Sequence, residues 1–333
     1  MQPAPSTCKL VLPGGSGHLG QLLTRHHLAL GHSVTVLGRS STPALPEGTR
    51  YVRWDGRNQG PWSTEVDGAD AVINLAGRSV DCTYNKSNLE EMLSSRIDST
   101  IAIGEAIAAA SRPPATWLQM STATIYSHRF DGANDEPTGA LGGSEPDVPG
   151  YWRYSVHIAQ TWERCLADAA CPQTRKVALR TAMVMSTAPG GPFHVLRRLA
   201  RLGLGGPIAG GKMYMSWIHE GDFVRAIDHL LQDASISGPV NLAAPAPLPQ
   251  REFMAALRQA IRMPLGLPAF RWMVHLGAMA LRTDPELILK SRRVIPTRLL
   301  GSGFDFRYSS WPNAAKELAR RPTSLEKTAS RSV

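Results

Sequence analysis

The 333-residue sequence predicts a doubly wound parallel α/β sheet, followed by a smaller and mostly helical C-terminal subdomain. Three observations support this prediction. Short apolar runs alternate with segments of helical periodicity from residue 9 to residue 180. A glycine-rich turn joins the first apolar run to the first helical segment. From about Thr181 the chain becomes glycine-rich and then mostly helical, which indicates a second unit.

Each expected strand is a short apolar run of the kind that is buried inside a parallel sheet. The strands are expected at 9–12, 33–37, 52–54, 71–77, 116–120, 176–180 and 238–242. One helix is expected at 19–30, ended by Gly31, and another at 95–110, ended by Pro113 and Pro114. Further helices are expected at 155–170, at 194–202 and over most of 251–320.

The glycine turn matches two spacings, G-x-x-G-x-x-G from Gly14, Gly17 and Gly20, and G-x-G-x-x-G from Gly15. Glycine has no Cβ, so it adopts positive φ and lets a pyrophosphate approach the backbone. The helix that follows offers free N–H groups and its positive dipole end to phosphates. In its strand–turn–helix–strand context the pattern predicts a Rossmann-like unit that binds a dinucleotide. The alternative is a tight turn without a ligand.

The second strand ends without the acidic residue that usually binds the ribose 2′-hydroxyl of NAD. Instead, Arg39 and Ser40 follow it. An arginine forms charge-assisted hydrogen bonds to a phosphate, and the serine hydroxyl can donate one as well. The sequence therefore favours NADP(H) over NAD(H), although an exposed surface arginine is the alternative interpretation of Arg39.

These elements divide the chain into two units and a tail. Residues 7–180 form the predicted dinucleotide-binding domain, to which residues 215–245 are expected to return. Residues 181–214 and 246–320 are expected to form the substrate-binding subdomain. The polar residues 322–333 are expected to be a disordered tail.

Composition excludes several classes of protein. The chain is 43% hydrophobic and 19% charged, which is typical of globular proteins, and it has no apolar run long enough to span a membrane. Its net charge of +9 comes from scattered lysines and arginines without a nucleic-acid-binding motif. The four cysteines form no C-x-x-C pair or zinc spacing. We therefore expect no nucleic-acid or membrane partner, no metal site and, since no signal pattern precedes the first strand, a cytoplasmic location.

Taken together, these motifs resemble the extended short-chain dehydrogenase/reductase superfamily. More narrowly, they resemble an epimerase-like branch of sugar-nucleotide-epimerase homologues that has its own C-terminal domain. The resemblance covers nearly the whole chain. It rests on the glycine turn, Trp54-Asp55-Gly56, 69–77, Ser95-Arg96-Ile97, Trp162-Glu163, 203–206, 216–219, 238–241, Arg293-Val294, Pro296, Gly303-Phe304 and Phe306.

The resemblance implies a homodimer and a location for the cofactor. His18 and Leu19 would present backbone amides at the helix start, and Asp55 would lie near the adenine. The implied cofactor-binding residues are Gly14, Ser16, Gly17, His18, Leu19, Gly20, Arg39, Ser40, Asp55, Asn74, Leu75, Ala76, Gly77 and Ser121.

The superfamily's chemistry uses a Ser or Thr that orients the substrate oxygen, and a Tyr-x-x-x-Lys pair in which the lysine lowers the tyrosine pKa. Thr122 occupies the hydroxyl position, but the pair is absent. Four residues after Tyr154 comes Ile158, and counting back from Glu163 puts the tyrosine position on Ser155 and the lysine position on Ala159.

Other side chains must therefore supply the proton if the chain is an enzyme. The candidates are Tyr154, Tyr126 and His157, which lies one helical turn after Tyr154. On the substrate side, Arg180 ends a strand at the sheet edge, and the resemblance places Lys212 and Tyr214 near the substrate. The helix-surface histidine and the strand-end hydroxyls also have purely structural interpretations.

Two functions remain open from the sequence. The first is an NADP-dependent oxidoreductase or epimerase of the short-chain dehydrogenase type that acts on a hydroxyl or carbonyl of a small, anionic or sugar-like substrate. The second is an NADP-binding protein with little or no catalysis, in a structural or redox-sensing role. The broken Tyr-x-x-x-Lys motif favours the second, and the intact glycine turn with Thr122 favours the first.

Overall fold

A computed structural model describes residues 7–146, 148–189 and 191–321. Seven parallel strands form the main sheet, in the order β10-β6-β5-β4-β1-β2-β3. Their bounds are Lys9–Pro13 (β1), Ser33–Gly38 (β2), Arg50–Arg53 (β3), Ala71–Asn74 (β4), Thr116–Thr122 (β5), Arg175–Thr181 (β6) and Gly238–Leu242 (β10). The predicted doubly wound, Rossmann-like fold is confirmed.

Helices cover both faces of this sheet, which buries its apolar strands on both sides. The flanking helices are His18–Ala29 (α1), Lys86–Ala109 (α2), Trp152–Asp168 (α3) and Glu220–Gln232 (α5). Short 3₁₀ helices occupy Pro61–Glu65 and Ala123–Ile125. Because the strands are parallel, their carboxyl ends meet at one edge of the sheet, where open α/β proteins bind ligands.

The rest of the described chain is mostly helical, with two small two-stranded sheets. Its strands are Met183–Met185 (β7), Tyr214–Met215 (β8), Trp217–His219 (β9) and Leu248–Pro249 (β11). Its helices are Pro192–Arg201 (α4), Gln250–Ala260 (α6), Arg271–Leu281 (α7), Glu286–Leu289 (α8), Thr297–Gly301 (α9) and Trp311–Arg320 (α10). Phe253 and Trp311 stack at a centroid distance of 3.8 Å in the core between α6 and α10.

Several expected bounds differ from the observed ones. The helix expected at 95–110 begins at Lys86, because the Asn85 side chain accepts a hydrogen bond from the Asn88 N–H and caps the helix earlier. The strand expected at 71–77 ends at Asn74. The strand expected at 52–54 lies at Arg50–Arg53.

The predicted domain boundaries remain a prediction, and the tail at 322–333 lies outside the described residues. Within the described part of the chain, no helix is both long and apolar enough to cross a membrane.

Candidate functional site

The glycine turn between β1 and α1 leaves no space for a side chain at two positions. Gly14 has a φ of +74°, and a Cβ there would lie 2.6 Å from the Ala76 nitrogen. A Cβ on Gly20 would lie 2.3 Å from the Cα of Gly15. Because these two positions have no side chain, the start of α1 can pack against the carboxyl ends of β1 and β4.

The first turn of α1 presents backbone N–H groups without intrahelical acceptors at this edge. The helix follows Gly17, which has no side chain to cap it, and its first turn contains no acidic residue. The His18 imidazole Nε2 lies 2.7 Å from Ser186 Oγ, and burial lowers its pKa, which favours the neutral ring. The N–H groups of His18 and Leu19 are thus available to a phosphate, which the helix dipole would stabilise.

The carboxyl end of β2 carries a basic side chain beside the glycine turn. Arg39 and Ser40 follow the strand and are exposed. A Cβ on Gly38 would lie 3.3 Å from Ser16 Oγ, so the end of β2 adjoins the turn. The described residues 39–42 after β2 thus offer a positive charge, and none of them carries a carboxylate.

Asp55 lies in the loop after β3, where it organises the backbone. Its carboxylate accepts hydrogen bonds from the N–H groups of Arg57 and Asn58, each at 2.9 Å, and these bonds lower its pKa. The loop that carries Asp55 is thereby fixed at the same edge of the sheet.

A buried asparagine shapes the loop that follows β4. Asn74 donates from Nδ2 to Gln119 Oε1 at 2.9 Å and accepts from the Ala76 N–H at 3.0 Å. The Leu75 N–H donates to the Pro13 carbonyl at 2.8 Å. The chain therefore turns tightly past the glycine turn, with small residues facing it.

A cleft of about 190 Å³ opens at the end of β5, between α2 and α3. Ser121, Thr122 and Thr124 contribute to its wall from the strand and the 3₁₀ turn after it. Ser155 lines it from α3, and Leu287 from α8. The predicted hydroxyl residue, Thr122, thus lies in a cleft to which the C-terminal region also contributes.

Arg96 is a buried cation in the same cleft. Its guanidinium donates to the carbonyls of Met92 (2.8 Å) and Arg78 (3.0 Å) and lies 5.0 Å from the centre of the Trp162 ring. Among the described residues it has no carboxylate partner, and burial lowers its pKa to about 10. The guanidinium is therefore placed to attract an anionic group in the cleft.

Ser155, at the position where the resemblance expects the tyrosine, is hydrogen-bonded to an acid from α8. Its Oγ lies 2.6 Å from Glu286 Oε2. Glu286 is 1% exposed, and its other oxygen has no hydrogen-bond partner among the described residues. Burial raises the pKa of this carboxyl, so its protonated form is favoured relative to an exposed glutamate.

Lys290 adds a buried amine one helical turn after Glu286. Its Nζ lies 3.7 Å from Glu286 Oε1 and donates to the Thr124 carbonyl at 2.9 Å. Burial, together with the neighbouring Arg292 charge, lowers the Lys290 pKa to about 8. The Lys290 charge acts to lower the Glu286 pKa, although burial dominates there.

Two predicted site residues belong instead to a buried ion-pair network. Arg180 binds Glu163 with two hydrogen bonds, Nε to Oε1 at 2.9 Å and Nη2 to Oε2 at 2.7 Å. It also donates to the Tyr126 hydroxyl at 2.9 Å, and that hydroxyl donates to Asn241 Oδ1 at 2.9 Å. Ser121 Oγ donates to Glu163 at 2.6 Å. Arg180 and Tyr126 therefore connect β6, α3 and β10 rather than lining the cleft.

Four other candidates lie away from the cleft lining. His157 is exposed on α3, with its ring centre 6.0 Å from that of Tyr154. Lys212 is exposed, and Tyr214 packs under the Arg293 guanidinium at 4.5 Å in the contact between β8 and the segment after α8. The structure brings Thr122 and Ser121 to the cleft and does not bring these four.

Two family models match the chain. Residues 10–243 match the NAD dependent epimerase/dehydratase family, and residues 269–318 match a domain of unknown function, DUF1731. The chain belongs to the NAD dependent epimerase/dehydratase family. The resemblance noted in the sequence is thereby confirmed.

Relatives of this family match over almost their whole length. The chain is 30% identical to the epimerase family protein YfhF of Bacillus subtilis, over 93% of this chain and 97% of YfhF. It superposes on human SDR39U1, solved with NADPH, with a TM-score of 0.80 and 27% identity, over 94% of this chain and 99% of that one. Bordetella bronchiseptica WbmG, solved with NAD, is similar in fold at a TM-score of 0.71 and 16% identity, over 96% of this chain and 95% of that one.

The residues of this epimerase-family chain fit a dinucleotide on three structural grounds. A Cβ on Gly14 would collide with backbone, the first turn of α1 contains no acidic residue, and the basic residue Arg39 follows β2. Sequence reasoning missed three residues of the candidate site: Arg96, which lines the cleft, and Glu286 and Lys290, which bond to the lining residues Ser155 and Thr124. For Glu286 and Lys290 the sequence offered one signal, an acidic and a basic residue on either side of three apolar residues, 287–289.

Replacing Gly14 by alanine is expected to destabilise the protein by more than about 3 kcal/mol, because left-handed strain and a backbone clash add together. The control is Gly31→Ala, since Gly31 has a φ of +82° and a Cβ there would meet no atom within 4 Å. Gly31→Ala introduces only the left-handed backbone strain, so its expected loss of stability is about 1–2 kcal/mol. Urea unfolding measures both variants, and equal losses would contradict the close approach to Ala76.

Proposed function

We propose that the protein is an NADP(H)-dependent oxidoreductase or epimerase that acts on a hydroxyl or carbonyl of a small anionic or sugar-like substrate. The observation that carries the proposal is the cleft at the end of β5, in which Thr122 lies near Ser155 and its hydrogen-bonded partner Glu286. The loop after β4 joins this cleft to the glycine turn, since a Cβ on Gly14 would lie 2.6 Å from the Ala76 nitrogen and a Cβ on Gly77 would lie 3.4 Å from the Arg96 side chain.

The cofactor would be held at the glycine turn and the strand ends around it. The backbone N–H groups of His18 and Leu19 would bind its phosphates, and Arg39 with Ser40 would bind a 2′-phosphate. NADPH bound to human SDR39U1 supports this choice. When bound, the nicotinamide supplies or accepts a hydride.

Thr122 and Ser155 would hold the substrate oxygen by their hydroxyls. In the reducing direction, Ser155 would pass its proton to that oxygen while it takes one from protonated Glu286, so the serine is unchanged at the end. The Lys290 amine, 3.7 Å away, would stabilise the carboxylate that remains. This proposal assigns to Glu286 the proton that the sequence assigned to Tyr154, Tyr126 or His157. Glu286 does not line the cleft itself but is hydrogen-bonded to Ser155, which does. The Tyr126 hydroxyl is engaged with Arg180, and among the described residues Tyr154 and His157 have no side-chain hydrogen bond to the cleft lining.

Arg96 supports an anionic substrate. It is a buried guanidinium that lines the cleft, and its described partners are neutral carbonyls and an aromatic ring. An anion bound there would gain a charge-assisted hydrogen bond in a poorly solvated site.

The alternative, a protein that binds NADP without catalysis, is favoured by one observation. Ala159 occupies the position where the resemblance expects the lysine, and it is fully buried. The experiment measures NADPH binding by its fluorescence and NADPH oxidation with keto-sugars, quinones and small carboxylated carbonyls. Turnover supports the enzyme, binding without turnover supports the alternative, and the absence of binding would contradict both.

Replacing Arg39 by aspartate is expected to weaken NADPH binding and to shift preference towards NADH by about tenfold or more. The variant removes a positive partner for the 2′-phosphate and adds an acceptor for a ribose hydroxyl. Arg164→Asp, the same charge change at an exposed arginine on α3, away from the end of β2, is the control. Fluorescence titration measures the Kd for each cofactor. An unchanged ratio of the Kd for NADPH to the Kd for NADH in Arg39→Asp would show that another group binds the 2′-phosphate.

A further inference from the structure

An exposed apolar surface covers part of the C-terminal region, around α7. Phe270, Trp272 and Met279 are 63%, 62% and 72% exposed, and Leu276 and Met273 are exposed beside them. Single exposed apolar side chains are ordinary, but five within ten residues form a patch of the kind that marks an interaction site.

The surface continues from α7 onto the loop after α4. The Leu267 N–H donates to the Gly203 carbonyl at 2.8 Å, and the Leu265 side chain lies against Gly203. Leu265 and Leu267 are exposed, as are Leu202 and Leu204 on either side of Gly203. We call these four leucines together with Phe270, Trp272, Met273, Leu276 and Met279 the apolar surface.

The helix is fixed to the protein by a narrow face. Val274 and Ala278, one turn apart, are buried, and Val274 packs in a cluster with Trp152 and Met213. The side chains of Trp272, Leu276 and Met279 project elsewhere and stay exposed. An apolar helix that packs through one narrow stripe leaves most of its surface for another occupant.

The two segments that carry the apolar surface contain basic residues and no acidic ones. No aspartate or glutamate lies between Glu252 and Asp284, or between Asp168 and Glu220. Five exposed arginines lie in these segments and have no ion-pair partner among the described residues: Arg198, Arg201, Arg262, Arg271 and Arg282.

The exposed apolar side chains and the five exposed arginines together favour one kind of binding partner. Apolar side chains with an aromatic ring among them, flanked by arginines, match an interface of acyl chains and anionic headgroups. A second copy of the chain meeting this surface with its own would bring the same arginines together without acids to pair them. Charge complementarity therefore favours an anionic lipid surface over a symmetric dimer.

We propose that the apolar surface docks the protein on an anionic membrane, with α7 lying in the plane of the headgroups. Eleven residues of helix extend about 16 Å, which is half of the hydrocarbon thickness, so α7 lies on the membrane and does not span it. The proposal departs from the expectation of no membrane partner, which considered only spanning segments. It is independent of the proposed function, because it involves neither the cleft nor the glycine turn.

The tryptophans provide a direct readout. All eight are in the described part of the chain, and the seven other than Trp272 are each at most 4% exposed. The purified full chain is mixed with phosphatidylcholine vesicles that do or do not contain phosphatidylglycerol. We expect flotation with the phosphatidylglycerol vesicles at low salt, release at high salt, and quenching of Trp272 by lipids with brominated acyl chains.

Two variants and their controls test the surface. Trp272→Ser with Leu276→Ser removes apolar contacts, and Arg271→Glu with Arg282→Glu reverses charge. Each pair should weaken binding at least about tenfold. The controls are Ile101→Ser, an exposed apolar residue on α2, and Lys86→Glu with Arg164→Glu, which make the same change in net charge elsewhere. Circular dichroism and urea unfolding verify the fold of each variant.

Three outcomes would overturn the proposal. The first is no binding to phosphatidylglycerol vesicles at low salt, and the second is equal loss of binding in the controls. The third is a wild-type dimer that becomes monomeric in Trp272→Ser with Leu276→Ser, measured by light scattering, because a second copy would then occupy the apolar surface.

Discussion

Replacing Glu286 by glutamine is expected to lower the kcat of the proposed reaction by at least about a hundredfold while the Kd for NADPH stays within about twofold. General acid–base groups contribute factors of this size, and the amide cannot release the proton that Ser155 needs. Glutamine keeps the size of the side chain and a hydrogen bond to Ser155, so the cleft should keep its shape. The measurements are steady-state NADPH oxidation with the substrate from the screen and fluorescence titration of NADPH.

The pH dependence of kcat tests whether Glu286 acts in its protonated form. Burial raises the Glu286 pKa, so in the reducing direction the protonated acid is lost, and kcat falls, as the pH rises through that raised value. The falling limb should disappear in Glu286→Gln. In Lys290→Met the limb should move to higher pH, because the amine that favours the carboxylate is gone.

The control is Glu136→Gln. Glu136 is a half-buried carboxyl whose pKa burial also raises, but it accepts from the N–H groups of Asn241 and Arg298, neither of which lines the cleft, whereas Glu286 is bonded to Ser155. Its replacement should leave kcat and the pH profile unchanged. A Glu286→Gln enzyme with wild-type kcat and the same falling limb would assign the proton to another group. Because NADPH binding is measured separately, that result would leave the cofactor assignment intact.

The fold was predictable because its signals are local. A strand buried on both faces is a short apolar run, so β1, expected at 9–12, is found at Lys9–Pro13. The glycine turn was predictable because the spacing of its glycines, Gly14 to Gly20, defines it within seven residues. The first turns of α2 were missed because they are mostly polar and their start depends on the Asn85 cap rather than on an apolar stripe.

The site was predictable only in part, because its contacts are long-range. Thr122 was found from its match to the hydroxyl position of the superfamily, but the partner of Ser155 lies 131 residues later in the chain. Glu286 and Lys290 have the i, i+4 spacing of an ordinary surface pair on a helix, so burial cannot be inferred from their spacing. Arg180 was correctly placed at the end of a strand, but periodicity does not reveal that Glu163 reaches it from α3.

Replacing Arg180 by methionine is expected to lower the free energy of unfolding by about 3–5 kcal/mol, because it leaves the Glu163 carboxylate buried without its partner. Burial acts to lower the Arg180 pKa, but hydrogen bonds and charge from Glu163 more than reverse it and raise the pKa. The pair is therefore strongly coupled. Glu163→Gln should also destabilise, and the double variant should lose less than the sum of the two single variants.

Arg50→Met is the matched control for this prediction. Arg50 binds Glu65 with the same two-bond geometry, at 2.9 and 2.7 Å, but its side chain is 64% exposed. Water and salt screen such a pair, so its loss should barely change the urea midpoint. If Arg180→Met were as stable as Arg50→Met and lost only turnover, Arg180 would be free to bind substrate. A large loss of stability with a coupling energy above about 1.5 kcal/mol would instead assign it to the frame that holds β6, α3 and β10 together.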